Sequence, residues 1–205
     1  GLRASVARTK QTNSVDGSGA IYNALNQLPE VPARNPDGSF GMQTENMYGT
    51  YFSNPLSDLI QNENYSRSTQ VYVNAFADIK LWKGLVFRTE YAANYNYNTG
   101  YRFTPSYDYE FFKQQSSASR SAGNGSNWTL KTYLTYNGTF GKHNVSVMAG
   151  HEAQENNWES LDGSRTNFLF NSVHELDAGD ATTAKANSSR GSSAIESYFG
   201  RLNYN

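Results

Sequence analysis

Apolar and polar side chains take turns along much of this chain. Between Leu85 and Tyr97 the residues Leu85, Phe87, Thr89, Tyr91, Ala93, Tyr95 and Tyr97 fall on one face. Val86, Arg88, Glu90, Ala92, Asn94 and Asn96 fall on the other. Successive side chains of a strand point to opposite faces, so a period of two predicts a strand with one apolar and one polar side. The stretch before it sets Val71, Val73, Ala75, Ala77, Ile79 and Leu81 against Gln70, Tyr72, Asn74, Asp78 and Lys80. A later one sets Trp128, Leu130, Thr132, Leu134, Tyr136, Gly138 and Phe140 against Lys131, Tyr133, Thr135 and Asn137. Weaker alternation runs through Val145–Gln154, at the C-terminal end, and over Leu2, Ala4 and Val6. The pattern predicts about six strands, near 2–9, 69–81, 85–97, 128–140, 145–155 and 196–205.

The connections are unequal. Trp82-Lys83-Gly84 and Gly141-Lys142-His143-Asn144 are tight turns, whereas polar segments run from about Asn98 to Asn127 and from Asn156 to Ser193. Ile21, Leu25 and Leu28 have helical spacing and predict a short helix that stops before Pro29. Asn35-Pro36-Asp37-Gly38 predicts a turn, as does Asn54-Pro55, within a long loop reaching to about Ser66.

Composition sharpens this. Of 205 residues, 37% are hydrophobic, below the ~45–50% of ordinary domains, yet 14% are aromatic, including 15 Tyr. The aromatic content argues against disorder. The shortage of aliphatics argues against a large dry core. A net charge of −1 gives no basic field for nucleic acid, and the absence of cysteine removes disulfides and thiolate metal sites. No run of ~18 apolar residues exists, and a barrel, whose strands alternate, needs none. The N-terminus has no apolar signal-peptide core, and the chain opens and closes on strand-like residues, so a fragment of a larger protein is expected.

Strands with an apolar face ending in Tyr95, Tyr97, Trp128 and Phe140, short turns at one end and long loops at the other, are the pattern of an outer-membrane β-barrel. The predicted fold is all-β: an antiparallel meander of about six strands from a large transmembrane barrel. Its turns would be periplasmic and its loops extracellular. Six strands cannot close even an eight-stranded barrel. Phe87, Tyr91, Leu130 and Leu134 are the predicted lipid-facing set; Arg88, Glu90, Lys131 and Glu152 would line the lumen. A soluble β-sandwich, such as a carbohydrate-binding module, shares the alternation but buries its apolar face on a second sheet. An adhesin-type barrel is a third possibility.

The run Lys80-Leu-Trp-Lys-Gly-Leu-Val-Phe-Arg-Thr89 resembles a hairpin of the SusC/RagA-type TonB-dependent transporters of the Bacteroidota. Leu134-Thr-Tyr-Asn-Gly-Thr-Phe-Gly-Lys-His-Asn-Val145, Gly150-His-Glu-Ala-Gln154 and Ser197-Tyr-Phe-Gly-Arg-Leu-Asn-Tyr204 are similar to that family too. So is Ile21-Tyr-Asn-Ala-Leu25 with Asn35-Pro-Asp-Gly38. The resemblance spans the chain. It implies an outer-membrane protein of a Gram-negative, Bacteroidota-like cell and residues 1–205 as a partial barrel domain without plug or TonB box. It also implies import of oligosaccharide or peptide, a SusD-like surface lipoprotein as lid, and energy from the TonB complex through parts absent from this chain. No enzyme activity and no cofactor follow from it.

Candidate chemistry changes little. His143, His151 and His174 lack metal-ligand spacing and read as girdle or surface residues. Glu152 and Glu155 fall on opposite faces, against a catalytic pair. Gly17-Ser18-Gly19 is followed by Tyr22 rather than a third glycine. The strongest candidate contact segment is the aromatic run with Tyr101, Arg102, Phe103, Tyr107, Tyr109 and Phe112, which would meet ligand or lid.

Overall fold

The structure, a computed structural model, describes residues 1–12, 19–43, 53–108 and 113–205. Six long strands make one antiparallel sheet: β1 (Leu2–Thr12), β2 (Glu63–Trp82), β3 (Leu85–Thr104), β6 (Ser117–Phe140), β7 (His143–Thr166) and β8 (Lys185–Tyr204). The sheet order is β1-β2-β3-β6-β7-β8, so each long strand pairs with its neighbour in sequence. A small hairpin, β4 (Tyr107–Asp108) with β5 (Lys113–Gln114), decorates the β3–β6 connection.

The two tight turns fall where the sequence places them. Gly84 at φ 80° and Gly141 at φ 63° occupy the left-handed region that side chains resist. At Gly84 space is also short, since a Cβ would sit 2.1 Å from the Asn137 carbonyl oxygen.

The strands are longer than the alternation predicts. β6 and β7 each run 24 residues, about 80 Å at ~3.4 Å per residue. Crossing a ~25 Å hydrocarbon band takes only ~9–11 tilted residues. The expected loops 98–127 and 156–193 therefore shrink to 105–116 and 167–184, and the loop before β2 ends at Asn62. The reason is physical. Beyond the apolar band both faces carry Asn, Ser, Thr and Gly, so the period of two disappears while the backbone ladder continues in register from below.

Register keeps the predicted faces intact. Ile79, Phe87, Leu134 and Ala149 stand in one cross-strand row, and Ala75, Tyr91, Leu130 and Ala153 in another. The aromatic limit of the apolar face steps diagonally: Tyr95 on β3, then Trp128 opposite Ala93, then Tyr198 in the row of Thr89. Such a slant is expected of strands tilted ~35–45° to a barrel axis.

Helix α1 (Gly19–Asn26) matches the predicted helix, and a second, α2 (Pro55–Gln61), replaces the expected Asn54-Pro55 turn. Asn54 caps α2, its Oδ1 accepting from the Leu56 and Ser57 amides at 3.0 and 3.2 Å, with Pro55 at the first helical position. Its Nδ2 ties the cap to the Ala33 and Gly41 carbonyls. The Asn35–Gly38 turn forms, closed by Gly38 N–H to Asn35 O at 2.9 Å.

Candidate functional site

The sheet has two faces of different chemistry, and the polar one is itself divided. Toward the turn end it carries charges. Arg88 Nη1 lies 3.5 Å from Asp78 Oδ1, and Arg88 stacks over Phe76 at 4.7 Å. Glu90 pairs across the ladder with Lys131, and Lys131 with Glu152. Lys131 Nζ is 3.3 Å from Glu152 Oε2, and Glu90 accepts from Asn74 Nδ2 at 2.9 Å. The structure thus brings the four predicted polar-face residues, Arg88, Glu90, Lys131 and Glu152, onto two adjacent rows of one face, where they form separate contacts: Arg88 with Asp78, Lys131 with Glu152 and Glu90 with Asn74. Each pair is half-exposed and contributes little stability on its own. Glu155 falls on the opposite face, accepting from Trp128 Nε1 at 3.1 Å.

Farther toward the loop end the same face loses its charges. Three successive rows cross all six strands. The first reads Ser5, Tyr72, Asn94, Asn127, Asn156, Ser193. The second reads Ala7, Gln70, Asn96, Gly125, Trp158, Gly191. The third reads Thr9, Ser68, Asn98, Gly123, Ser160, Ser189. None of these positions is Asp, Glu, Lys or Arg, in a chain where 17% of residues are charged. Random placement would put about three there. Trp158 is 46% exposed and lies down over Gly191, where a Cβ would sit 2.7 Å from the indole. Its other flank in the row is Gly125. Trp158 escaped sequence reasoning because its segment reads as loop; its place opposite two glycines emerges only from register.

The apolar face holds Phe87, Tyr91, Leu130 and Leu134 together as predicted. Phe87 pairs with Leu134 and Tyr91 with Leu130. Among the described residues no second long sheet packs on them, and Tyr91 and Leu134 remain 44% and 38% exposed. That is not the arrangement of a β-sandwich. Tyr91 stacks with Trp128 at 6.5 Å, and at the turn end His143 stacks with Tyr204 at 5.7 Å. His151 also sits on this face, 2.8 Å from Glu196 Oε1 and beside the Tyr198 ring.

The predicted contact segment is divided. Tyr101, Arg102 and Phe103 belong to β3, not to a loop. Tyr101 and Phe103 are buried with Ala118 and Phe168 in the main apolar cluster, against Tyr65, Leu176 and Ala178. Phe103, fully buried, stacks on His174 at 3.9 Å and meets Phe168 edge-on at 5.5 Å. Burial removes Phe103 from any ligand surface: it anchors the 167–184 connection instead. His174, expected at the surface, helps latch that connection, with Nδ1 3.4 Å from Glu63 and Nε2 2.7 Å from the Asn171 carbonyl. Arg120 spans both sides of the latch, 3.6 Å over the Tyr101 ring and 2.8 Å from Glu175. Burial, then the Glu63 charge, pushes the Tyr101 phenol up to about 12. Tyr107, on β4, accepts from Ser57 Oγ at 3.1 Å, tying the hairpin to α2. Tyr109 and Phe112 lie outside the described residues.

No family model matches the chain. It is 26% identical over 200 residues to TonB-dependent receptor P3 of Formosa agariphila, covering 97% of this chain and 20% of that protein. It is 24% identical over 209 residues to TonB-dependent receptor P26 of the same organism, covering 100% of this chain and 21% of that protein. The chain therefore spans about a fifth of these relatives' length. Among solved structures, the RagAB peptide importer in its open-open state superposes with a TM-score of 0.71 at 19% identity, covering 83% of this chain and 19% of that one. The RagAB peptide transporter gives 0.70 at 20% identity over 82% of this chain and 19% of that one. The shared fold is an arc of a large barrel wall.

Proposed function

We infer, from the premise that this chain is a segment of the barrel wall of a SusC/RagA-type TonB-dependent receptor, that it forms part of an outer-membrane nutrient importer. The observation that carries the reading is the continuous meander with a banded apolar face, aromatic at both limits and, among the described residues, uncovered by a second sheet. Phe87, Tyr91, Leu130 and Leu134 face lipid in this reading; Arg88, Glu90, Lys131 and Glu152 line the lumen. The wall does no chemistry. It holds a pore whose opening is powered by the TonB complex acting on other parts of the protein.

The long connections 13–62, 105–116 and 167–184 stand outside the cell and receive cargo. They offer a platform to a SusD-like lipoprotein lid, which the likeness to RagAB supports. Exposed Ile21, Leu25, Leu59 and Ile60 on α1 and α2, and Arg102 and Tyr107 nearer the sheet, are the surfaces suited to that contact. Cargo is an oligosaccharide or a peptide.

The test is uptake by a strain lacking the full-length gene. Loss of growth on a glycan or peptide as sole source, restored by the gene, supports import. Unchanged growth across both classes, with the protein demonstrably in the outer membrane of the parent, refutes it.

A further inference from the structure

We propose that the uncharged rows on the polar face form a binding wall for a neutral oligosaccharide, with Trp158 and Tyr72 as stacking platforms. This rests on the importer reading, which makes that face the lumen.

The same face is ionic lower down, at Lys131 and Glu152 two rows below the first neutral row and at Asp78 and Arg88 three rows below it, so its neutrality near the loop end is a local property. A peptide carries terminal and side-chain charges whose desolvation needs counter-charges nearby. A neutral sugar needs none. It asks for many mixed donors and acceptors around its hydroxyl rim, and Asn amides supply both from one side chain. Asn94, Asn96, Asn127 and Asn156 cluster around Trp158 in adjoining rows.

The shape agrees. A pyranose is amphipathic, with a C–H face and a hydroxyl rim, and the C–H face wants a flat, open aromatic surface. Trp158 provides one because the residue opposite is Gly191. Without a Cβ there, the indole rests on the sheet and keeps its other face free. Tyr72, 36% exposed, lies in the next row and three strands away, about 14 Å at ~4.8 Å per strand. Two ring platforms at that distance, with amides between, suit an extended chain of several sugar units better than a single sugar.

The experiment uses the purified full-length receptor in detergent. Titration calorimetry measures binding of cello-, xylo-, manno- and β-1,3-gluco-hexaose, hexagalacturonate, and a random octapeptide pool. At least one neutral hexaose is expected to bind. Trp158→Ala and Tyr72→Ala should each weaken it about tenfold or more, as loss of an aromatic anchor does, and Trp158→Phe should retain most of it. Gly191→Ala, which pushes the indole off its seat, should weaken binding without removing the ring. Heat-modifiable migration in SDS gels establishes that each variant is folded.

Binding of only the octapeptides or the uronate, or affinity unchanged in Trp158→Ala, overturns the saccharide wall and leaves the importer reading standing. If no probe binds, the proposal falls as well. The importer reading falls separately, only if deletion of the gene also leaves uptake of every class unchanged.

Discussion

Truncating Phe103 should unfasten one loop and leave the wall standing. Phe103 is fully buried, stacked on His174 at 3.9 Å and edge-on to Phe168 at 5.5 Å. Phe→Ala in a closed core costs about 3–5 kcal/mol, and the ring contacts add roughly 0.5–1.5 kcal/mol beyond area. The cluster is small and one side is itself a loop, so it can collapse partly, and about 3 kcal/mol is the reasonable figure. That loss falls on local opening of residues 167–184, not on the six-stranded ladder. At ~1.4 kcal/mol per tenfold, opening becomes roughly a hundredfold more frequent. The amides to watch are Asn167 and Phe168, bonded to Ser116, and Asp180, bonded to the Thr166 carbonyl. Hydrogen exchange by mass spectrometry on the full-length receptor reads them directly. Peptides covering 167–184 should lose about two decades of protection in Phe103→Ala, while those covering 128–150 stay as they are. Unchanged exchange in 167–184 would refute the anchor. Equal loss across β6 and β7 would refute the separation of loop from wall.

Other predictions concern the wall and the turns. Leu134→Arg should cost ~2–4 kcal/mol in membrane-embedded unfolding titrations, whereas Thr135→Arg, one residue along and on the other face, should cost under ~1 kcal/mol. Gly84→Ala should destabilise more than Gly141→Ala, since both have positive φ but only Gly84 meets backbone at 2.1 Å; unfolding midpoints of the two variants decide it. The Tyr101 phenol, raised to about 12 by burial and Glu63, stabilises the latch while it stays neutral. Its contribution is complete below the ordinary tyrosine value near ~10 and is lost as pH rises through about 12. Alkaline titration at 295 nm should show a late phase that Tyr101→Phe abolishes, with exchange in 167–184 rising over the same window.

What was legible in the chain is what a one-sided apolar face makes legible. Wherever one face must be apolar, as at Phe87, Tyr91, Leu130 and Leu134, alternation marks strand and face together, and register agrees with it strand by strand. Where water wets both faces the constraint lifts. Asn98 to Thr104, Ser117 to Asn127 and Asn156 to Thr166 look like loop although they are strand. Only the hydrogen-bonded ladder, which has no sequence signature of its own, extends there. The charged set on the polar face was legible for the same reason as the apolar one. Trp158 was not, because its meaning lies in Gly125 and Gly191, distant in sequence and adjacent only after pairing. Phe103 was misjudged because an aromatic run among polar residues looks alike whether it greets a ligand or folds under its own loop. Asn54 was half visible: an Asn before Pro signals either a turn or a helix start, and the apolar Leu56, Leu59 and Ile60 behind it favoured the second.

The strictly sequential strand order has a consequence for how such a wall changes over generations. Among the described residues every long strand pairs with its neighbours in chain order. Insertions in 13–62, 105–116 or 167–184 lengthen a connection and disturb no pairing downstream. A single-residue insertion between Leu130 and Leu134 is another matter, since it exchanges inside for outside along the rest of β6. Loss or duplication of a whole hairpin, such as β2–β3 or β6–β7, returns the chain to the same side in the same phase. Length variation among descendants should therefore concentrate in the connections and, in the wall, come in paired strands. The circumference of the wall is a quantity this architecture can adjust by steps, without redesigning either face.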